Sequence, residues 1–267
     1  MEAIVPAAAT RPQKVRRLTM RSDPWWIPSL LTFLGLSAFI VYATWAAFQG
    51  AHYVYGNYLS PMYSPEIFGD SPHAWFGIKP TWMPAFVTPA MLILWAPGGF
   101  RLTCYYYRGA YYKAFWADPP GCAVGEPRHS YLGEQSFPLI MQIIHRYFMY
   151  LAVLFLVFLS VDVYKALWFA GPDGVEHFGI GVGTLVLTAN VVFLASYTFG
   201  CHSLRHLVGG RKDAFAAQKL SSACYKCTSM FNRRHMNWAW ISLFGVMFAD
   251  LYVRLCSMGI WTDWRIL

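Results

Sequence analysis

The chain has little charge for its length. Of 267 residues only 13% are Asp, Glu, Lys or Arg, about half the share of a soluble globular protein, and 57% are hydrophobic. Disordered chains, collagens and disulfide-rich secreted modules are poor in aromatic residues, so the 20 Phe, 17 Tyr and 12 Trp exclude those classes. The sequence also has no internal repeat, low-complexity tract or second region that could fold in water. It predicts a protein of the membrane.

Long apolar runs define the predicted architecture. A hydrocarbon core of about 30 Å needs about 20 residues to cross, and five stretches meet this length, at about 27–50, 83–100, 139–161, 180–200 and 238–255. The fold class predicted is all-α, an integral membrane bundle of five transmembrane helices in a single domain over 1–267, with an N-terminal segment 1–26. The Tyr-rich stretch 102–116 is predicted to continue the second helix, and the connection 51–82 to be an ordered cap of turns without strands.

The positive charges alternate between connections. Lys and Arg number five before the first span, one in 51–82, four in 101–137, one in 162–178, seven in 202–237 and two after 253. By the positive-inside rule the N-terminus is cytoplasmic and the C-terminus is outside. Topology therefore accounts for most of the net charge of +8, and no nucleic-acid partner is expected. A basic cytoplasmic face can still dock an acidic soluble partner.

The His and Cys residues concentrate on the predicted cytoplasmic side. Thiols are kept reduced there, which argues against disulfides and leaves metal binding, redox work or burial. Cys104, His145, Cys201 and His235 fall at similar depth on four different spans. Ionisable residues at membrane depth normally face the bundle interior, where a partner or metal satisfies them. These four residues therefore predict a redox metal site.

The residue types narrow the choice of metal. Two thiolates with two imidazoles suit a structural zinc or a [2Fe–2S] cluster of Rieske type. Haem b needs two His residues from facing helices, and His145 with His202 or His206 would supply one such pair. A second haem has no ligands, because the outer halves of the third and fourth spans contain no His.

Several segments together resemble one known family. They include Phe100–Tyr112, Gly121–Pro127, the His145-Arg-Tyr-Phe148 turn, Cys201-His-Ser-Leu-Arg-His206, Arg234-His-Met236 and the Asp23-Pro-Trp-Trp26 entry. This set looks like the membrane-anchor subunit, cytochrome b-like, of actinobacterial-type succinate dehydrogenase, and the likeness covers nearly the whole chain. It implies a multi-pass protein of the plasma membrane that carries a flavoprotein subunit and an iron–sulfur subunit on its cytoplasmic face. It also implies a membrane-embedded Rieske-type [2Fe–2S] cluster in place of haem.

Within this resemblance we expect Cys104 and Cys201 to bind one iron and His145 and His235 the other. Cys122, in a loop bounded by Gly and Pro, is an alternate for either thiolate, and His202 or His206 is an alternate for His235. The expected function is to pass electrons from the iron–sulfur subunit through the cluster to a membrane quinone, menaquinone or ubiquinone. The quinone needs donors to its carbonyl oxygens and a proton route. The residues expected there are His202, Arg205 and His206, then Arg101, Arg146 and Tyr105.

Two other functions stay open. One is a haem b anchor of the same complex, and the other is a metal-free scaffold that tethers a soluble enzyme, with the Cys and His residues serving only as packing. Cys224 and Cys227 form a C-x-x-C pair without a visible companion pair, and are expected to be ordinary reduced thiols. A transporter is disfavoured because the spans lack repeated halves and broken midplane helices.

Overall fold

The computed structural model describes residues 21–125, 138–171, 174–210 and 219–267. By its contacts the chain divides into two compact units, Met1–Leu36 with Gly109–Pro138, and Ser37–Arg108 with Leu139–Leu267. Most described residues are helical. The helices are α1 Ile27–Gln49, α2 Pro89–Ile93, α3 Trp95–Leu102, α4 Tyr105–Trp116, α5 Pro138–Lys165, α6 Val182–Phe199, α7 His202–Gly209, α8 Lys219–Asn232 and α9 His235–Ser257.

Four helices are long and apolar enough to cross a membrane. In the described residues these are Ile27–Gln49, Ile143–Lys165, Val182–Phe199 and His235–Ser257. They correspond to the first, third, fourth and fifth predicted spans, with ends shifted by a few residues. The chain is thus a mostly helical protein with four candidate membrane-spanning helices.

The second predicted span is broken. Residues 83–88 are not helical, and the helical part is divided at Leu94 into α2 and α3. The prolines explain both features. Pro89 suits the first turn of α2, which Thr88 caps by accepting from the Met91 N–H at 3.4 Å. Pro97 has no N–H for the Ile93 carbonyl, so the hydrogen-bond ladder is interrupted there.

The other departures from the prediction are local. Cys104 separates α3 from α4, so the expected continuous helix over 102–116 is wrong at its start. The connection 51–82 is ordered as predicted but contains one short hairpin, β1 Val54–Tyr55 with β2 Tyr58–Leu59. A second hairpin joins β3 Trp168–Ala170 to β4 Glu176–Phe178 after α5. The expectation of turns without strands in 51–82 is therefore wrong, because two-residue strands fall below what periodicity in the sequence can reveal.

A polar network anchors the end of α9 that lies near the β1–β2 hairpin. Arg254 Nε donates to Asp250 Oδ2 at 2.7 Å, and both side chains are fully buried. Arg254 also donates to the carbonyls of Ala46 at 3.0 Å and Ala51 at 2.8 Å. Tyr42 donates to Asp250 Oδ2 at 2.6 Å. Arg254, held by Asp250, therefore satisfies the carbonyls of Ala46 and Ala51 at the end of α1 and connects α1 to α9.

Candidate functional site

Four predicted residues meet at helix junctions and helix starts. Cys104 occupies the turn between α3 and α4, and Cys201 is the N-cap of α7 directly after α6. His145 lies in the first half of α5, and His235 is the first residue of α9. Since each residue comes from a different part of the chain, only packing of the second unit brings them together.

The four side chains form two Cys–His pairs. His145 Nε2 lies 3.0 Å from Cys201 Sγ, and Cys104 Sγ lies 3.5 Å from His235 Nε2. Cys104, Cys201 and His145 are 3%, 1% and 6% exposed. The convergence predicted from depth is thus observed for all four residues. Each thiol contacts an imidazole, whereas the sequence-based expectation paired thiol with thiol and imidazole with imidazole on the two irons.

Thr103 orients the His145 ring. Its hydroxyl donates to the Gly99 carbonyl at 2.7 Å and lies 2.9 Å from His145 Nδ1. Because the hydroxyl proton is used on Gly99, Thr103 Oγ1 accepts from Nδ1–H. The other nitrogen, Nε2, then has its lone pair directed at Cys201. This is the tautomer that a metal ligand of this type requires.

Burial keeps the facing thiol protonated. It raises the pKa of the Cys201 thiol to about 11, against which backbone hydrogen bonds from Ser203 and Leu204 act only in part. Cys201 is therefore a neutral thiol at neutral pH, 3.0 Å from His145 Nε2. Binding of a metal would displace the thiol proton, because the thiolate is the ligand.

Aromatic rings hold both imidazoles in place. Phe100 stacks on His145 with centroids 4.8 Å apart and planes within 5°. Tyr197 stacks on His235 at 4.9 Å and 16°. Tyr197 also contacts Phe100 edge-on, which joins the two stacks into one wall. Such packing removes rotamer freedom from the imidazoles and excludes water from that side.

A cavity of about 640 Å³ opens beside the two pairs. It falls within the usual size range for small-molecule sites. The four Cys and His residues line it together with Thr103, Tyr105, Tyr106, Ile143, Arg146, Tyr147, His202, Ser203, His206 and Asn232. Four of the six residues expected at a quinone site line this cavity: His202, His206, Arg146 and Tyr105.

The remaining two expected residues have other partners. Arg101 donates to Tyr107 at 2.7 Å and to Ser242 at 3.0 Å, so its guanidinium joins α3 to α4 and α9. Arg205 donates to Tyr225 Oη at 2.9 Å and lies over that ring, which joins α7 to α8. Neither lines the cavity.

The alternate ligands differ in position. His206 Nδ1 lies 3.3 Å from Arg146, and His202 is exposed on the cavity wall. Cys122 belongs to the first unit, where it is exposed and its carbonyl accepts from Arg21 at 3.0 Å. Cys224 and Cys227 are exposed free thiols on α8. Within the described part of the chain, no group of three or more His, Cys, Asp or Glu residues is arranged to hold a single metal ion.

Sequence reasoning missed Thr103 and Tyr197. The available signal was nearness in sequence, because Thr103 is adjacent to Cys104 and Tyr197 precedes Cys201 by four residues. Threonine and tyrosine are common in membrane helices, so nothing in their type separated them from packing residues.

These features define a helical membrane protein with a buried Cys–His site beside an open cavity. The model of the family "Actinobacterial succinate dehydrogenase subunit SdhC" matches residues 27–259, and the chain belongs to that family. It is therefore the membrane anchor of an actinobacterial succinate dehydrogenase, a multi-pass plasma-membrane protein that acts with the other subunits and is not catalytic alone.

One solved structure extends this finding. A chain of the Mycobacterium smegmatis Sdh1 complex in the apo form is 42% identical to this chain. The match covers 98% of each chain with a TM-score of 0.84. No curated protein sequence matches the chain.

Proposed function

We propose that the chain passes electrons to a membrane quinone through a Rieske-type [2Fe–2S] cluster held by Cys104, Cys201, His145 and His235. The observation that carries the proposal is the convergence of two buried thiols and two imidazoles at distances of 3.0 and 3.5 Å. Zinc is disfavoured by the arrangement, since no three described ligands surround one point.

The donor set fits a group with two metal atoms. Two thiolates and two imidazoles are the ligands of a Rieske centre, with two ligands on each iron. In such a centre both thiolates bind one iron and both imidazoles bind the other. Cys104 and Cys201 would therefore hold one iron, and His145 and His235 the other. The contacts of 3.5 and 3.0 Å bring all four donors to the wall of one cavity, and each thiol would exchange its contact with an imidazole for a bond to iron.

The cluster would supply one-electron transfer between the partner subunits and the quinone. The chain supplies the orientation of the ligands: Thr103 fixes the tautomer of His145, and the rings of Phe100 and Tyr197 fix the planes of both imidazoles. Burial of both cysteines lowers the dielectric around the group, which is one way in which a protein tunes a cluster potential.

The cavity beside the pairs is the proposed quinone site. His202, His206 and Arg146 offer hydrogen-bond donors on its wall, and Tyr105 offers a hydroxyl. Ile143 and Tyr147 are 61% and 64% exposed, so the cavity has an apolar border along α5. A quinone headgroup entering there would meet donors for its carbonyl oxygens and a histidine able to deliver a proton.

The proposal includes five crossings with a cytoplasmic N-terminus. Ser64 donates to Asp162 near one end of α5, while Thr103 contacts His145, 17 residues or about 25 Å earlier on the same helix. The segment between Ser64 and Thr103 therefore runs along most of α5, which supports a crossing by α2 and α3 despite their break. The site then lies at the basic, cytoplasmic end, where flavoprotein and iron–sulfur subunits would dock.

The test measures the low-temperature electron resonance and the optical spectrum of the purified complex, because its total iron and sulfide include those of the iron–sulfur subunit. We expect the Rieske signal to be lost in the double variant His145→Gln, His235→Gln. Quinone reduction should then fall by two orders of magnitude or more, while succinate oxidation by a soluble dye is retained. Cys256→Ser is the matched control, because Cys256 is also buried but belongs to the far end of α9.

Three results would contradict the proposal: unchanged quinone reduction in the double variant, absence of a Rieske resonance from the wild-type complex, or a sharp reduced haem band in its optical spectrum. The last result would favour a haem b anchor, and absence of both the resonance and the haem band would favour a tethering scaffold.

A further inference from the structure

A second cavity lies at the opposite end of α5. Its volume is about 590 Å³, and it is lined by Asn57, Pro72, His73, Tyr164, Lys165, Trp168, Val175 and Glu176. Lys165 follows His145 by 20 residues, so the two sites are about 30 Å apart along the helix. This distance makes the second cavity independent of the Cys–His site.

His73 is a buried side chain at this cavity. It is 4% exposed, and its backbone N–H donates to Ser71 Oγ at 3.1 Å, which holds the residue in position. Burial lowers the pKa of His73, and the nearby Gly56 carbonyl opposes this only in part. Neither ring nitrogen makes a well-aligned hydrogen bond within the described part of the chain. A ligand in the cavity can therefore supply the ring with a better partner than Gly56 does.

Lys165 sets the depth of the cavity in the bilayer. It is the last residue of α5 and of the candidate span Ile143–Lys165. Tyr164 and Trp168 flank it on the cavity wall. Lysine at the end of a span, accompanied by tyrosine and tryptophan, is typical of the headgroup layer. The ligand most available at this depth is the headgroup of a phospholipid.

The cavity also carries a negative charge. Asn57 Nδ2 donates to Glu176 Oε1 at 3.2 Å and to the Trp168 carbonyl at 2.5 Å, which fixes the β3–β4 hairpin against the β1–β2 hairpin. No ion pair joins Glu176 to Lys165 in the structure as described. One cavity thus presents a separate ammonium group and a separate carboxylate.

We propose that this cavity binds the zwitterionic headgroup of a phosphatidylethanolamine lipid. Lys165 Nζ and a His73 ring N–H donate to the phosphate oxygens, and the Glu176 carboxylate accepts from the lipid ammonium group. Tyr164 and Trp168 contact the glycerol region at the membrane surface. The bound lipid would join α5 and both hairpins at this end of the anchor.

Native mass spectrometry of the purified, delipidated complex tests this assignment. We expect added dioleoyl phosphatidylethanolamine to bind at least tenfold more weakly to the Lys165→Gln complex than to the wild type, and several-fold more weakly to His73→Gln. Glu176→Gln should remove the preference for phosphatidylethanolamine over phosphatidylglycerol. His177→Gln is the matched control, because His177 is exposed beside Glu176 on β4 and does not line the cavity.

Thermal unfolding of each complex serves as the check on folding, so that a variant that fails to assemble is not counted. Equal lipid binding by the wild type and Lys165→Gln overturns the proposal. So does equal binding of the two lipids by the wild type. Inorganic phosphate that raises the unfolding temperature as much as the lipid does would indicate a free-anion site and would also overturn it.

Discussion

At the scale of single residues, Thr103 controls which nitrogen of His145 faces the thiol. Its hydroxyl accepts from Nδ1 at 2.9 Å, and this leaves Nε2 directed at Cys201. Partners of this kind typically change metal affinity or activity by 10- to 100-fold when removed. The contact links a polar residue in an apolar bundle to the proposed electron transfer.

We predict that Thr103→Val lowers the amplitude of the Rieske resonance of the purified complex at least tenfold and shifts what remains of it. The valine has the same shape but cannot accept from Nδ1, so His145 loses its orientation. Thr103→Ser keeps the hydroxyl and should restore both properties. A Thr103→Val complex whose Rieske resonance has normal amplitude and position would contradict the positioning role.

A glycine shows how closely two helices approach beside this site. A Cβ atom added to Gly99 would lie 2.3 Å from the Phe148 ring, far inside van der Waals contact. The close approach of α3 to α5 is what places Thr103 next to His145. A larger residue at Gly99 would separate the two helices.

We predict that Gly99→Ala lowers both the thermal unfolding temperature of the complex and the amplitude of its Rieske resonance. Gly98→Ala is the matched control, since a Cβ at Gly98 meets nothing within 4 Å. Equal unfolding temperature and equal resonance amplitude in the two variants would show that Phe148 moves aside without cost.

At the scale of elements, α9 is anchored by a buried ion pair. Arg254 bonds Asp250 and two carbonyls near the end of α1, and its guanidinium lies over Trp45 and Tyr63. Each of the three guanidinium nitrogens of Arg254 thus has an acceptor. Breaking such a pair from one side leaves an uncompensated buried charge.

We predict that Arg254→Met destabilises the anchor by about 3–5 kcal/mol, the usual cost of one-sided loss of a buried pair. The lower unfolding temperature of the complex provides the measurement. The double variant Asp250→Leu, Arg254→Met should recover part of the loss, because it removes the unpaired carboxylate. Arg265→Gln is the control, since Arg265 is exposed. If Arg254→Met unfolds at the same temperature as this control, the pair does not anchor α9.

The helices that contain the longest continuous apolar runs were predicted best. Helices α1, α5, α6 and α9 begin and end within a few residues of the predicted spans, because a run of about 20 apolar residues has few alternatives to a membrane helix. The region of α2 and α3 was predicted less well. Its apolar content indicated a span. Whether its prolines kink or break the helix depends on whether neighbouring helices satisfy the backbone groups that the prolines leave without a hydrogen bond.

At the scale of the whole molecule, the distribution of positive charge predicts the orientation. Arg254, counted from the sequence among the residues after the last span, is buried in α9. Removing it from the count leaves one basic residue, Arg265, on the C-terminal side, against seven between α6 and α9. The asymmetry is therefore stronger than the sequence alone indicated.

We predict that a membrane-impermeant maleimide labels a His177→Cys variant in intact cells but leaves Cys224 and Cys227 unlabelled until the membrane is opened. The β3–β4 hairpin is outside and α8 is cytoplasmic in the proposed topology. Labelling of Cys224 and Cys227 in intact cells would show that the orientation is opposite to the proposed one. The cavities and the Cys–His pairs would be unaffected by that result.

The sequence by itself determined the membrane class, four of the helices and the residues that meet in the site. The length of an apolar run and the cost of burying an ionisable group both depend on local composition. They can therefore be evaluated without knowing how the helices pack. Only the tertiary structure decided which thiol faces which imidazole, that Thr103 and Tyr197 hold the imidazoles, and that Arg101 and Arg205 point elsewhere. Those outcomes depend on helix rotation and on approach distances of a few ångströms, which are set by side chains distant in sequence.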